Sequence, residues 1–195
     1  MSPRRTLSGL RPFPLHLLFR SSWADTPIDL DAPLAGGGWE DAGELRFDRG
    51  WLLAKNDARF LYLALDVVDD TGDDPGTGDY FWLTFDVNRD RSITANRDVN
   101  FATPPNQPQE LRKQFYLGAN RWTGLRDTDS SVRTEFGPSA RSARNHRIWK
   151  FRIDLSEISV NLAWPLARAT TTSSCGLAGG SWICYRALFP TFTTS

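Results

Sequence analysis

The sequence predicts an all-β fold, an antiparallel β-sandwich of jelly-roll or immunoglobulin-like kind, over residues 28–166. Three observations carry this expectation. Apolar residues recur at every second position in short runs, Gly, Pro, Asn and Asp break those runs at close intervals, and no segment sustains a helical period. A chain of 195 residues is also long enough to bury a sizeable core as one domain.

Residues 1–27, rich in Arg, Pro and Ser, read as a leader or disordered arm. Arg4 and Arg5 precede Leu15, Leu17, Leu18 and Phe19 in the order of a secretory signal, but Pro12, Pro14 and His16 interrupt the apolar run. Residues 31–38 are turn-prone, and Trp39-Glu40-Asp41-Ala42 begins an ordered piece. Residues 45–47 and 51–54 flank Asp48-Arg49-Gly50 as the arms of a hairpin. After a turn at 55–58, Phe60, Tyr62 and Ala64 alternate with Leu61, Leu63, Leu65 and Val67. Both faces of that run are apolar, as in a central strand.

Gly and Pro end the pattern at 71–78. It resumes at 79–86, with Phe81, Leu83 and Phe85 on one face and Tyr80, Trp82 and Thr84 on the other. Further strands are expected at 99–102, 114–118, 131–136 and 147–155. In the last, Trp149, Phe151 and Ile153 oppose Lys150, Arg152 and Asp154, which predicts a half-buried strand with a wet face. Leu155-Ser156-Glu157-Ile158 suits a single helical turn.

Charge and composition exclude several classes. Lys plus Arg equals Asp plus Glu at 23 each, so bulk charge favours neither nucleic acid nor an anionic membrane. No apolar run reaches transmembrane length. Cys175 and Cys184 can close a small loop if the protein is exported, but two cysteines are no disulfide framework. His16 and His146 fall in the arm and in a basic loop, without a Ser or Cys nucleophile context. Asp69/Asp70 and Asp73/Asp74 would serve a glycosidase only if carboxylates faced each other across a cleft. No glycine-rich phosphate loop or zinc spacing occurs, so a binding or accessory domain is expected rather than an enzyme.

Residues 66–98 hold nine Asp and no Glu. Within them Asp86, Asn88, Asp90 and Ser92 fall at alternate positions directly after a strand. Short oxygen side chains so spaced can turn inward on one loop and surround Ca2+. Arg91 stands where an EF-hand needs Gly, and Arg97 where it needs a bidentate Glu, which rejects that motif. Asp98, or Asp69 or Asp70, would have to close the shell; alternatively Arg89 and Arg91 pair with the carboxylates.

Eight Trp make aromatic ligand platforms worth weighing. Trp39, Trp51 and Trp149 sit where core packing is the default, whereas Trp82 alternates away from the apolar face of its strand. Trp122, with Asn120 and Arg121 beside it and Gly118 and Gly124 around it, is the favoured sugar platform. Its flat ring suits sugar C–H groups, and the neighbours can hydrogen-bond hydroxyls. The plainer reading is a Trp that caps the end of the sandwich.

The order Ile28-Asp29, Trp39-Glu40-Asp41-Ala42, Phe60-Leu61-Tyr62-Leu63-Ala64-Leu65-Asp66-Val67-Val68-Asp69-Asp70, Gly78-Asp79 and Leu83-Thr84-Phe85-Asp86 resembles family 9 carbohydrate-binding modules and their DOMON-like relatives. Residues 149–158 look like the late strand and turn of that family, and the resemblance covers roughly residues 28–160. It implies a calcium-stabilised antiparallel sandwich, extracellular, periplasmic or on a cell surface, attached to or associated with a larger protein. Sugar binding is one activity it implies. Haem binding, known among DOMON-like relatives, would need an axial His or Met that Met1, His16 and His146 are poorly placed to supply. The alternative is a structural or interaction sandwich of an exported or surface assembly, without a sugar site.

The tail departs from the family pattern. Acidic residues vanish after Glu157, and residues 169–180 are Thr-, Ser- and Gly-rich. Residues 167–195 therefore read either as foreign to the fold, through a shifted reading frame or altered terminus, or as a natural variant tail that leaves an altered C-terminal edge.

Overall fold

The computed structural model describes residues 19–73, 81–87, 93–104, 107–158, 171–178 and 181–188. The described residues form thirteen strands: β1 (Phe19–Arg20), β2 (Ser22–Trp23), β3 (Gly43–Phe47), β4 (Gly50–Asn56), β5 (Phe60–Val67), β6 (Trp82–Asp86), β7 (Val99–Ala102), β8 (Arg112–Gly118), β9 (Arg121–Trp122), β10 (Ser131–Ser139), β11 (Ser142–Asp154), β12 (Thr171–Ala178) and β13 (Ser181–Leu188). A single 3-10 turn, Leu155–Glu157, follows β11, with Asp154 accepting from the Ser156 N–H at its start. The chain is an all-β sandwich of two sheets. The front sheet runs β1-β12-β13-β6-β7-β8-β9, and the back sheet runs β10-β11-β5-β4-β2 with β3 also on β4. Pairing is antiparallel except for β13 on β6 and β2 on β4.

Period-2 patterning builds the core between the sheets. The back sheet turns in Leu52, Leu61, Leu63, Leu65, Trp149, Phe151 and Ile153; the front sheet turns in Leu83, Phe85, Val99 and Phe101. Phe81 packs across the gap against Phe151 at 5.0 Å and Trp149 at 5.8 Å between ring centres, while Phe85 meets Phe101 edge-on. Such tilted and edge-on aromatic packing adds to the burial of apolar area.

The second apolar face of β5 has a separate cause. Residues 24–42 cross the outer surface of the back sheet as a strap, and Ile28, Leu30, Leu34 and Trp39 pack on Leu53, Tyr62, Ala64 and Ile148. The wet face expected of β11 is dry for the same reason. Lys150 is only 1% exposed, and its ammonium donates to the Ala32 carbonyl at 2.7 Å and to Glu135 at 3.1 Å. β2 and the buried Ala24 lie ahead of Ile28, where the sandwich was expected to begin.

The turn expected at 55–58 falls slightly later, because Lys55 and Asn56 belong to β4. Asp57 makes the turn: one carboxylate oxygen accepts from the Arg59 and Phe60 N–H groups, and the other accepts from the Tyr62 hydroxyl at 2.7 Å. Burial, followed by that bond to Asp57, pushes the Tyr62 hydroxyl pKa upward. The expected β3–β4 hairpin pairs Phe47 with Gly50. Residues 167–195, expected to be atypical, supply the backbone of β12 and β13, which lie between β1 and β6.

Candidate ligand-binding face

The outer face of the front sheet is set by register. Thr84 pairs with Asn100, and Asn100 with Gln114; Trp82 pairs with Ala102, and Ala102 with Arg112. Tyr116 pairs with Trp122 across β8 and β9. Continuing the same registers by one residue sets Asp86 beside Asp98 and Asp98 beside Tyr116. Leu83, Phe85, Val99 and Phe101 occupy the inner face, so their alternates share the outer one. Three cross-strand rows result: Trp82–Ala102–Arg112, Thr84–Asn100–Gln114, and Asp86–Asp98–Tyr116–Trp122.

The middle row is buried and hydrogen-bonded along its length. The Gln114 amide donates to the Asn100 side-chain oxygen at 3.0 Å, and the Asn100 amide donates to the Thr84 hydroxyl at 2.9 Å. Buried amides need such partners, and this chain fixes the spacing of the three strands. Trp82, at one end, is 41% exposed. Arg112, in its row, forms ion pairs with Glu110 and Asp127.

At the other end the rings of Tyr116 and Trp122 lie 5.0 Å apart, tilted by 57°. The β8–β9 hairpin that presents them turns through Ala119 and Asn120, whose φ values of 51° and 57° are those of a type I′ turn. The Asn120 backbone N–H donates to the Tyr116 hydroxyl at 3.1 Å, which ties the turn to the ring pair. Asn120 and Arg121 are exposed at the hairpin tip, and Trp122 is half-buried. Trp82 and Trp122 thus share one face without forming a single clamp: strand geometry separates them by about 14 Å across the strands and about 13 Å along them.

Asp86 and Asp98 lie on the same face, and both are buried. One carboxylate oxygen of Asp98 accepts from the Val87 N–H at 2.9 Å, and the other from the Thr94 N–H at 2.5 Å, so this side chain ties Val87 to Thr94. Asn88, Asp90 and Ser92, the other expected Ca2+ ligands, lie outside the described residues. Two buried carboxylates on neighbouring strands are nonetheless donors of the kind a hard cation takes.

Of the two histidines, His146 stands differently from expectation. His16 lies outside the described residues, and His146 belongs to β11 rather than to a loop. Its Nδ1 faces the Arg144 carbonyl at 2.7 Å and its Nε2 bonds Asp66, with both side chains 0% exposed. The imidazole is thereby committed to holding β11 to β5. Trp51, expected in the core, is half-buried under the guanidinium groups of Arg46 and Arg141.

Glu157 makes a third polar centre, below the β8–β9 edge. Its carboxylate accepts from Lys113 at 2.5 Å, Thr128 at 2.5 Å and Ser130 at 2.6 Å. Burial alone would raise its pKa; the donors from Lys113, Ser130 and Thr128 outweigh it and hold the group below the usual range.

Sequence reasoning singled out Trp82, Asn120, Arg121, Trp122, Asp86 and Asp98, and passed over Tyr116, Arg112 and the Thr84–Asn100–Gln114 row. The missing information was the register between β7 and β8, strands joined by a connection too long for turn chemistry to fix. Compared with known proteins, the chain has no matching family model, and no curated protein or solved structure matches it.

Proposed function

We propose that this domain is a non-catalytic carbohydrate-binding module whose glycan meets the outer face of the front sheet at its two accessible ends, Trp82 and the β8–β9 hairpin. The observation that carries the reading is the placement of Trp82 and the Tyr116–Trp122 pair at opposite ends of one hydrogen-bonded polar face. Aromatic rings offer apolar surfaces to sugar C–H groups, and the exposed Asn120 and Arg121 bring donors to the hydroxyls. The separation of the two ends suits an extended chain of sugars better than one sugar gripped between two rings.

Ca2+ belongs to this proposal as a structural ion. Asp86 and Asp98, beside Tyr116, would hold it together with oxygens of the intervening loop. The module would act outside the cell or on its surface, attached to or associated with a larger protein.

Retention on glycan arrays or affinity gels tests the reading, with Trp122→Ala and Trp82→Ala as controls. Retention lost in both variants supports the face, and retention unchanged in both removes it. A thermal midpoint that rises with Ca2+ and falls with chelator supports the ion, since a ligand of the native state must raise the midpoint. An unchanged midpoint removes the ion from the proposal. A second reading, a structural or interaction sandwich, is favoured by one observation: among the residues whose side chains the structure describes, Trp82 is the one exposed aromatic ring, Tyr116 and Trp122 being half-buried. Absence of glycan retention under calcium-replete conditions selects that reading.

A further inference from the structure

We infer that Cys175 and Cys184 are a redox pair that forms an intramolecular disulfide across the β12–β13 hairpin. The inference rests on backbone register and is independent of the glycan reading. Cys175 on β12 is paired directly with Cys184 on β13, three steps beyond the closing pair Ala178 and Ser181. Two residues separate Ala178 from Ser181, so that closing pair is the hydrogen-bonded one of a two-residue hairpin. Hydrogen-bonded and non-hydrogen-bonded pairs then alternate along an antiparallel ladder. Leu177–Trp182 is non-hydrogen-bonded, Gly176–Ile183 hydrogen-bonded, and Cys175–Cys184 non-hydrogen-bonded again. Opposed residues share one face of the sheet, and at a non-hydrogen-bonded pair their Cα atoms approach to about 4.5 Å. Disulfides span Cα separations of roughly 4.4–6.8 Å, so this backbone admits the bond without moving.

The oxidant is a low-molecular-weight disulfide such as oxidised glutathione. One cysteine thiolate attacks a glutathione sulfur and expels a glutathione thiolate; the second cysteine thiolate then attacks the mixed disulfide and expels the other. The protein loses two electrons and two protons, and the oxidant becomes two glutathione thiols. The bond would join the strand paired with β1 to the strand paired with β6, where Cys184 is registered with Phe85. The front sheet would thus be cross-linked between its second and third strands in an oxidising compartment and open there in a reducing one.

The test uses the full chain equilibrated with mixtures of reduced and oxidised glutathione, in native buffer and in concentrated urea. Thiols are trapped by alkylation and the peptides identified by mass spectrometry. The expected result is a peptide joining Cys175 to Cys184 in the monomer, with an equilibrium constant for closure at least tenfold larger in native buffer than in urea. A variant combining Cys184→Ser with Tyr185→Cys moves the second cysteine to a position on the opposite face of the sheet and should lose that native advantage. Equal constants in native buffer and urea, or an unchanged advantage in the shifted variant, would overturn the inference. So would bonding that occurs only between chains.

Discussion

The side-chain amide of Gln109 pairs with the backbone of Thr134 as a strand residue would. Its nitrogen donates to the Thr134 carbonyl at 2.9 Å, and its oxygen accepts from the Thr134 N–H at 3.1 Å. β10 is the outermost strand of the back sheet, so these are edge groups that another chain would otherwise find unpaired. Gln109→Ala should cost about 0.5–1 kcal/mol, at the low end for hydrogen bonds because the site is exposed. It should also raise concentration-dependent self-association, read by sedimentation velocity. A variant as monomeric as the parent would show that the edge needs no such guard.

Gly50 is required by close approach rather than by its turn. A Cβ built there would stand 1.9 Å from the Asp66 carbonyl oxygen, a backbone atom that cannot step aside. Gly50→Ala must therefore part β4 from β5 beside the Asp66–His146 bond. The expected loss is about 3 kcal/mol or more in urea unfolding, in the upper range for overpacking. A loss below about 1 kcal/mol would mean that the strands give way easily.

Lys150 holds the strap down. Lys150→Met keeps much of the side chain's bulk but leaves the Ala32 carbonyl and the Glu135 carboxylate without its ammonium. Destabilisation by about 1–3 kcal/mol is expected, the cost of stranding buried polar groups. Proteolysis should accelerate first within residues 24–42. Cleavage spread evenly over the domain would place the lysine's role elsewhere.

Acid should weaken the fold partly through Glu157 and Asp154. For Asp154, burial opposes ionisation, but Ser156 and Arg59 overcome it and lower the pKa, as Lys113, Ser130 and Thr128 do for Glu157. A carboxyl lowered in the folded state binds fewer protons there than in the unfolded chain, so stability rises with pH through that window. The contribution is complete above the ordinary values of 3.8 and 4.5, and is lost as pH falls through them toward the folded values. Stability measured in urea across this range should therefore slope upward with pH, and Glu157→Gln should flatten the slope. An unaltered slope in that variant would assign acid sensitivity to other groups.

Much of the strand order was legible because alternation is local. Phe81, Leu83 and Phe85 face the core as their spacing predicts, and so do Trp149, Phe151 and Ile153. The strap was not legible: residues 31–38 look like turn material, and Leu30, Leu34 and Trp39 carry no strand period that would announce a covering layer. Its trace lay instead in β5, whose two apolar faces are one more than a two-layer antiparallel sandwich requires. At the candidate site, single residues such as Trp82 and Trp122 stood out by their local contexts. The Thr84–Asn100–Gln114 row did not, because cross-strand neighbours far apart in sequence carry no joint pattern in a single chain.

The strap also orders events in time. Lys150 meets Ala32 across 118 positions, and Ile148, part of the surface beneath the strap, is almost as distant. A growing chain exposes Ile28, Leu30, Leu34 and Trp39 well before β11 exists to help cover them. Closing so long a loop delays the final docking, since its entropy must be overcome before the distant contacts form. The early part of synthesis is therefore the period when this apolar segment is most open to chaperones, or to the wrong neighbour.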